Sequence, residues 1–570
     1  MNGWPQELLD DLARSGALSA AELDALLQTT RTPDEPFLRT LVKTGVVAEE
    51  KLLHALAQSL HLDFTRLTET EIDPDVCALV PTKAVFKYNV MPMRVQDGCL
   101  SVAANDPFNL PMLECLRMAS RLRIRLALSP QADIQKALKR YYGVGADTLD
   151  ELIQKNVVDL DATVAAVAKQ DVARDDQEAS VVKFVNQIIA EAHKERSTDI
   201  HLEPMENDLR IRYRVDGALH QVPVPPQLKR FQAAIISRIK VMANMDIAER
   251  RLPQDGRINV RSGGSEIDVR VSTLPTAYGE SVSLRLLMRN SIFLGLDKLG
   301  LSRDDDAIVR KLVELPHGII LVTGPTGSGK STSLYAFLST INSIDQRIIT
   351  IEDPIEYELP GVNQMQVRSD IGLTFASGLR HILRQDPDVI MVGEIRDLET
   401  AEIAIRAALT GHLVFSTIHT NDAAGAVTRL LDMGIEPFLV SSSVEALIAQ
   451  RLVRTICPAC KTAYTPEPEL LREVGFSNEP GTVFYRGAGC EECRFTGYRG
   501  RMGIYEILVM RENLRPLVIE RATSSAIKQA ACANGMRTLR DDGWAKVRAG
   551  LTTVEEVARA THEDEALVSS

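Results

Sequence analysis

Residues 324–332, GPTGSGKST, match a complete phosphate-binding pattern, with glycines at 324 and 329 followed by Lys330 and Ser331. An apolar strand-like run precedes this stretch and a helical pattern follows it. Such a loop presents backbone N–H groups to phosphate oxygens, while its lysine reaches the β and γ oxygens and its serine ligates Mg²⁺. The predicted ATP-binding residues are therefore Gly324, Pro325, Thr326, Gly327, Ser328, Gly329, Lys330, Ser331 and Thr332, with Ser331 as the magnesium ligand.

Two later apolar runs end in acidic residues, as hydrolysis of a bound nucleotide requires. The stretch IITIEDPIEY carries Glu352, Asp353 and Glu356, and the stretch DVIMVGEIRD carries Glu394. Gly393 stands where the generic Walker B pattern has an aspartate, so the Mg²⁺ shell would depend on the loop serine, water and the nearby acids. A helix cap or a solvated charge is the alternative for either acid. Two acids at strand ends beside a phosphate loop favour catalytic carboxylates.

The stretch GHLVFSTIHTND places His412 and His419 on either side of the apolar run 413–417. A lone histidine is more often a hydrogen-bonded polar residue than a catalyst. Here a strand would bring His419 to the sheet edge that carries the phosphate loop, which favours a γ-phosphate sensor. We include both histidines among the candidate catalytic residues.

Four of the eight cysteines form two C-x-x-C pairs, Cys457 with Cys460 and Cys490 with Cys493. Two such pairs are typical of tetrahedral Zn–S₄ coordination. The stretch between them is longer than the ~15–20 residues of common zinc ribbons, and a redox-active pair is the alternative. We predict one structural Zn²⁺ held by all four thiolates, without a catalytic role because no coordination position stays open.

The elements that must position these residues belong to an α/β multidomain chain, because one hydrophobic core cannot extend over 570 residues. Leucine and glycine spacing, alternating apolar runs and changes in composition mark the boundaries. The predicted domains are a helical repeat module (1–60), an α/β adaptor (61–145), an acidic linker with some helix (146–178), a second α/β unit that opens with a helix at Val181 (179–290) and a parallel sheet covered by helices (291–570), which holds the cysteine-bearing insertion (457–493).

The composition excludes several classes of protein. The chain has 65 Lys+Arg against 77 Asp+Glu, a formal net charge of −12, with 45% hydrophobic residues. This acidic balance, without an aromatic and basic groove, disfavours nucleic acid as a partner. No run approaches the ~18 apolar residues of a membrane span, and the N-terminus lacks the basic and apolar segments of a secretion signal. We expect a cytoplasmic protein.

A series of motifs occurs in one order from residue 179 onward. They are STDIHLEP, RYRVDG, AERRLPQDGRI, DVRVSTLPTAYGESVSLRLL, GPTGSGKST, IEDPIEY, ILRQDPDVIMVGEIRD, GHLVFSTIHTNDA, the two C-x-x-C pairs and GMRTLRDDG. This series closely resembles the secretion ATPase superfamily, the motors of type II secretion and type IV pilus assembly. The closing segment from RMGIYEIL onward is more similar to the type II secretion subfamily (general secretion pathway protein E) than to the pilus extension ATPases.

The resemblance implies roles for individual residues. It implies a PAS-like domain ahead of a RecA-like P-loop ATPase core with an inserted zinc module. In that family pattern Glu356 corresponds to the water activator and Glu394 to the Walker B glutamate. Arg270 and Arg285 correspond to basic residues that reach the nucleotide's phosphates as the two domains close.

The resemblance also implies partners. A homohexamer would lie peripherally on the cytoplasmic face of the bacterial inner membrane, docked through its N-terminal region onto an inner-membrane-anchored partner, with acidic lipid as a further contact. Hydrolysis would drive a polytopic platform protein that assembles pseudopilin subunits. Some relatives bind cyclic di-GMP through an Arg-Leu-Gly opening to the helical repeat. This chain has Pro36-Phe37-Leu38 there, so that ligand is not predicted.

Other functions share part of this evidence. A pilus extension motor, or a DNA-uptake or conjugation relative, would use the same chemistry. A nucleotide-gated scaffold would bind ATP without turnover, but intact Glu356 and Glu394 disfavour it. A zinc-bearing nucleic-acid binder is disfavoured by the net charge.

Overall fold

The structure, a computed structural model, describes residues 48–561 except 69, 71, 147, 149–170, 263–264, 289–294 and 477–481. The chain divides into two compact units, Met1–Leu286 and Leu287–Ser570. Most of the predicted helical repeat and the centre of the predicted linker lie outside the described residues, as does the stretch Pro36-Phe37-Leu38. Within the described part of the chain, no helix has the length and apolar character needed to cross a membrane.

The first unit contains a four-stranded sheet with helices packed against it. Its elements are α1 (Glu49–Ser59), β1 (Asp63–Phe64), a 3₁₀ helix (Pro74–Leu79), α2 (Thr82–Tyr88), β2 (Val90–Gln96), β3 (Cys99–Ala104), α3 (Leu110–Ser120), β4 (Arg123–Leu128) and α4 (Gln131–Tyr142). The strand order is β1-β4-β3-β2. Only the β2–β3 pair is antiparallel, as expected for strands joined by the tight turn at Asp97-Gly98.

A long helix and a six-stranded sheet complete the first unit. The elements are α5 (Asp171–Lys194), β5 (Ser197–Pro204), β6 (Leu209–Val215), β7 (Ala218–Val222), a 3₁₀ helix (Pro226–Phe231), α6 (Gln232–Met242), β8 (Gln254–Ser262), β9 (Ser265–Thr276) and β10 (Gly279–Met288). The strand order is β7-β6-β5-β10-β9-β8. Helix α5 begins ahead of the predicted start at Val181, because the preceding DVARDDQEAS is rich in good helix formers.

The second unit is built on a seven-stranded sheet. Its strands are β11 (Gly318–Thr323), β12 (Ile348–Glu352), β13 (Asn363–Gln366), β14 (Val389–Val392), β15 (Leu413–Ile418), β16 (Val444–Ile456) and β19 (Tyr498–Val509). Their order is β13-β12-β14-β15-β11-β16-β19, and only the β16–β19 pair is antiparallel. Every residue of β11, β12, β14 and β15 is buried, as a parallel sheet covered on both faces requires.

Helices cover both faces of this sheet. They are α7 (Arg303–Val313), α8 (Lys330–Ile341), α9 (Phe375–Ile382), α10 (Leu398–Leu409), α11 (Ala423–Asp432), α12 (Pro437–Ser443), α14 (Arg515–Ile519), α15 (Ser524–Ala533), α16 (Leu539–Arg548) and α17 (Val554–Thr561), with a 3₁₀ turn at Leu296–Lys298. The remaining helix of this unit, α13 (Pro468–Glu473), belongs to an insertion. Alternate residues of each strand enter opposite cores: Ile319 and Leu321 pack on one face, and Ile320 and Val322 on the other.

A small insertion separates β16 from β19. It consists of a 3₁₀ turn (Pro458–Cys460), β17 (Lys461–Tyr464), the short helix α13, β18 (Phe484–Gly487) and a second 3₁₀ turn (Glu491–Cys493). Strands β17 and β18 pair antiparallel. The insertion brings the two C-x-x-C stretches together at its base.

Candidate functional site

The predicted phosphate loop, residues 324–332 and called the P-loop below, connects the end of β11 to the start of α8. Gly324, Gly327 and Gly329 have φ angles of 145°, 80° and 92°. A side chain at Gly324 would collide with the backbone oxygen of Gln450, and one at Gly329 with the Gln450 amide. The loop therefore requires glycine for both conformation and space, and its backbone stays open to a bound anion.

The floor of the P-loop is a polar residue of the neighbouring strand β16. Gln450 is 2% exposed, and its Oε1 accepts a hydrogen bond of 2.7 Å from Ser333 of α8. Lys330 turns back over the loop, where its Nζ donates to the carbonyl oxygens of Gly324 (2.7 Å) and Pro325 (3.1 Å). In this position the Lys330 ammonium can exchange its hydrogen bonds to the loop carbonyls for hydrogen bonds to the oxygens of a bound phosphate. Ser331 is exposed in the first turn of the helix.

Partial burial lowers the pKa of the Lys330 ammonium. The negative charge of Glu394 opposes this shift, and the guanidinium of Arg451 adds to it. The lysine therefore lies in a field set by one acid and one further cation. A phosphate placed beside it would favour the charged amine, because an opposite charge stabilises the ionised form.

Two of the three acids in the IEDPIEY stretch, Glu352 and Glu356, occupy different environments. Glu352 ends β12 and is 4% exposed, with its carboxylate fully engaged by neighbouring side chains. Burial raises the pKa of Glu352, against the hydrogen bonds that it accepts. Glu356 lies in the following loop, partly exposed, and its backbone N–H donates to the Tyr335 hydroxyl. Of the two, Glu356 has the side chain that water can reach.

Glu394 follows β14, and its two carboxylate oxygens contact the side chains of Arg396 and His419. Arg396 forms an ion pair with its Oε1, and Nε2 of His419 lies 3.2 Å from its Oε2. Partial burial favours the neutral acid, but Arg396 and His419 together hold the pKa of Glu394 below its usual range. Glu394 is therefore a carboxylate at neutral pH, and the structure brings together two of the predicted site residues, Glu394 and His419.

Hydrogen bonds between strand ends fix this cluster beside the P-loop. The Thr323 hydroxyl at the end of β11 donates to the backbone oxygen of Thr420 (3.1 Å) and accepts from its N–H (2.9 Å). The Thr417 hydroxyl donates to the oxygen of Gly393 (2.8 Å). A Cβ at Gly393 would lie 3.3 Å from the backbone oxygen of Ile351, so this position has little room for the expected aspartate.

His412 lies elsewhere. It precedes β15, and its backbone oxygen accepts from the N–H of Gly318, the first residue of β11. Its Nδ1 contacts the Ala407 oxygen at 3.0 Å. The P-loop follows the other end of β11, so His412 sits at the opposite edge of the sheet, about 20 Å away at the ~3.3 Å rise of each strand residue. The structure does not bring this candidate to the site, because the two histidines flank one strand.

Arg270 and Arg285 lie on β9 and β10 of the first unit. Leu284 and Leu286 are buried on either side of Arg285, whose side chain is 60% exposed, so the predicted period-two alternation is present. The Nε of Arg285 donates to Oδ1 of Asp199, at 2.9 Å, across the β10–β5 pair. Arg270 is half-buried between the buried Val269 and Val271.

The four cysteines of the insertion form one cluster. Their sulfur atoms all lie within 4.8 Å of one another. Cys457 Sγ is 3.8 Å from Cys490 Sγ, and Cys460 Sγ is 3.7 Å from Cys493 Sγ. A regular tetrahedron of Zn–S bonds of ~2.3 Å has edges of about 3.8 Å, so the cluster fits zinc. Backbone N–H groups of Cys490 and Gly497 also donate to Cys493 Sγ, and such donors stabilise a metal-binding thiolate.

Comparison with known proteins identifies the family. Residues 174–559, more than half of the chain, match the family model described as type II/IV secretion system protein. The chain belongs to this family. Residues 60–148 match a second model, the MshEN domain, so the secretion protein contains an MshEN domain ahead of the family's ATPase region.

Relatives of this secretion protein come from two kinds of system. It is 42% identical to the type IV pilus assembly ATPase PilB of Myxococcus xanthus, over 99% of this chain and 100% of the relative. It is 43% identical to type II secretion system protein E of Xanthomonas campestris, over 95% and 98%. It is 48% identical to type II secretion system ATPase E of Vibrio cholerae, over 76% and 86%. The protein is a P-loop secretion ATPase.

A solved structure shares the fold of this secretion ATPase. The X-ray structure of the Legionella pneumophila ATPase DotB aligns with a TM-score of 0.50 over 67% of this chain and 96% of DotB. The two sequences are 21% identical, so the likeness concerns the fold alone.

Sequence patterns missed three residues of the secretion ATPase's site. Arg396 stands in the GEIRD motif, two residues after Glu394, and its charge was the available signal. Gln450 is a polar residue within the apolar run ALIAQRL, which indicates a buried hydrogen bond. Tyr335 has no such signal, because a tyrosine at a helical core position is ordinary.

Proposed function

We propose that this secretion ATPase is a hexameric motor that hydrolyses Mg-ATP and powers pseudopilus assembly and type II protein secretion. One observation carries the proposal: the P-loop, the loop bearing Glu356, and the Glu394–His419 pair all follow the carboxyl ends of neighbouring strands in one sheet. This edge is where parallel α/β sheets bind their ligands.

The proposed roles follow from position and charge. Lys330 holds the β- and γ-phosphate oxygens in place of the loop carbonyls. Ser331 ligates Mg²⁺, which neutralises phosphate charge when bound. Glu356, which corresponds to the water activator in the family pattern, removes a proton from the attacking water, and its carboxylate is accessible where that of Glu352 is buried. Glu394 occupies the Walker B position, and His419 responds to the γ-phosphate beside it.

Arg270 and Arg285 supply further positive charge in this proposal. They belong to the first unit and reach the phosphates when the two units close around a nucleotide. The exposed guanidinium of Arg285, tethered to Asp199, supports that role. Positive charge added on closure stabilises the transition state and makes turnover depend on the closed form.

We further propose that Cys457, Cys460, Cys490 and Cys493 hold one structural Zn²⁺. The sulfur spacing and the N–H donors around Cys493 support it. Four thiolates leave no open position, so the metal acts by fixing the insertion between β16 and β19. Strand β16 pairs with the P-loop strand β11, and β19 pairs with β16. The stability of the insertion is therefore linked to that of the ATPase sheet.

For partners, we propose a homohexamer that docks through its N-terminal domain onto a membrane-anchored component and acts on a polytopic platform protein. The proposed location is peripheral, on the cytoplasmic face of the inner membrane, with acidic lipid as an activator. The MshEN domain match, and relatives named for type II secretion and pilus assembly, support this assignment.

Type IV pilus assembly is the second candidate, favoured by the PilB relative that matches 99% of the chain. Deleting the gene in its host separates the two. Type II secretion predicts loss of extracellular enzymes with surface pili retained, and pilus assembly predicts the reverse. Restoration by the wild-type gene but not by Lys330→Ala would tie either phenotype to ATP. A Lys330→Ala gene that restores secretion fully would instead favour a scaffold that does not hydrolyse ATP.

A further inference from the structure

Glu352 is a buried acid whose carboxylate receives three side-chain donors. The Tyr335 hydroxyl donates to its Oε2, and Oε1 accepts from Thr350 Oγ1 (2.6 Å) and Gln364 Nε2 (3.0 Å). Because Glu352 is 4% exposed, water does not reach its carboxylate, and the residue is unsuited to taking a proton from water. Its donors are therefore the informative feature, because two of them also hold the loop 353–359 that carries Glu356.

Tyr335 is the first of these two. It is buried in α8, five residues beyond Lys330, and its hydroxyl donates to Glu352 while accepting the backbone N–H of Glu356 at 3.2 Å. Its ring packs edge-on against Tyr357, with centroids 4.4 Å apart. A hydroxyl that donates to a carboxylate is polarised and becomes a better acceptor. The P-loop helix thus contacts the backbone of Glu356 directly.

Gln364 of β13 is the second. Its Nε2, besides contacting Glu352, donates to the Tyr357 oxygen at 3.2 Å, and its Oε1 accepts the Leu359 N–H at 2.7 Å. The loop is therefore held at residues 356, 357 and 359 by two side chains that meet on one buried carboxylate. Such a network fixes a backbone more firmly than separate contacts do.

We propose that Tyr335 is a positioning residue that couples the P-loop helix to Glu356 through the Glu352 network. A shift of α8 on nucleotide binding moves the Tyr335 hydroxyl and, with it, the backbone of Glu356. The inference rests on the proposed role of Glu356 as the residue that activates water. Tyr335 touches neither phosphate nor water in this scheme and acts only through the loop.

The test uses Tyr335→Phe in the full-length protein, which removes the hydroxyl and keeps the ring. Losing this hydrogen bond should lower kcat about 10-fold and leave the Kd of Mg-ATP unchanged. The matched control is Tyr498→Phe in the same unit, whose hydroxyl lies 2.8 Å from Thr553 Oγ1, away from the loop. Tyr498→Phe should lower Tm about as much as Tyr335→Phe does, but it should leave kcat unchanged. Gln364→Met, which releases residues 357 and 359, should lower kcat in the same way.

Glu356→Gln, measured alongside, separates this inference from the proposed function. If Glu356→Gln abolishes turnover while Tyr335→Phe and Gln364→Met keep the wild-type kcat, the coupling is wrong and the role of Glu356 stands. Equal losses of kcat in Tyr335→Phe and Tyr498→Phe would reduce Tyr335 to a general stability effect and overturn the inference. A Glu356→Gln variant that turns over normally defeats both. If Tyr335→Phe does not fold, Gln364→Met decides the inference alone.

Discussion

The Nε2 atom of His419 lies 3.2 Å from a carboxylate oxygen of Glu394, and Arg396 pairs with the other oxygen. The two partners of Glu394 therefore compete for one negative charge at the edge of the ATPase sheet. A γ-phosphate arriving at Lys330 would change that competition, because it adds a second negative charge near Arg396 and His419.

We expect His419→Ala to lower kcat about 10-fold, the effect of one charge-assisted hydrogen bond in the transition state. Its matched control is His412→Ala, which removes the histidine at the opposite end of β15 and should leave kcat unchanged. Steady-state ATP hydrolysis by both variants checks the prediction. Equal losses in the two would mean that the histidines act through the stability of the strand between them.

Lys330→Ala should reduce kcat on the order of 10²-fold or more, as loss of a preorganised donor to developing charge does. The lysine is the P-loop cation that contacts the carbonyls of Gly324 and Pro325. Lys311→Ala, an exposed lysine of α7 in the same unit, is the control and should behave as wild type. If Lys330→Ala hydrolyses ATP with the wild-type kcat, the P-loop is not the catalytic phosphate-binding site.

The local parts of the site could be predicted from sequence. The run Ile319-Ile320-Leu321-Val322 followed by spaced glycines specifies a buried strand and a phosphate loop, because both signals lie within one stretch of chain. The same holds for Arg285, whose exposed face follows from alternation with Leu284 and Leu286.

Contacts that depend on register and packing could not be predicted. Gln450 lies under the P-loop because β16 pairs with β11 in one particular register, which apolar patterning does not specify. Glu352 and Glu356 stand in one motif, yet one is buried because Tyr335 and Gln364 from separate elements cover it. Sequence spacing treats these two acids alike, and only tertiary packing separates them.

Purified protein should contain one Zn²⁺ per chain, which elemental analysis measures directly. Removing it with a chelator should lower Tm, because four thiolates lose the ion that balances their charge. Cys490→Ser should lower Tm or impair assembly before it changes the Kd of Mg-ATP, since the cluster is separate from the P-loop. Cys532→Ser, which replaces a partly buried thiol outside the cluster, is the control for zinc content. Metal-free protein with an unchanged Tm would contradict the assignment.

Arg285→Ala should keep the Kd of Mg-ATP near that of wild type and lower kcat on the order of 10³-fold, as removal of a transition-state arginine does. Arg270→Ala should have a similar or milder effect, because its side chain is less exposed. The alternative is that Arg285 only anchors β10 to Asp199 of β5. In that case Arg285→Ala and Asp199→Asn would both lower Tm and leave kcat unchanged.

Arg261→Ala is the matched control, since Arg261 pairs with Glu266 on the same sheet and its side chain is 85% exposed. Nucleotide affinity and turnover should be measured under conditions where the wild type oligomerises. If Arg270→Ala and Arg285→Ala hydrolyse ATP as fast as Arg261→Ala, the two arginines are surface charge and closure of the two units does not supply them to the phosphates.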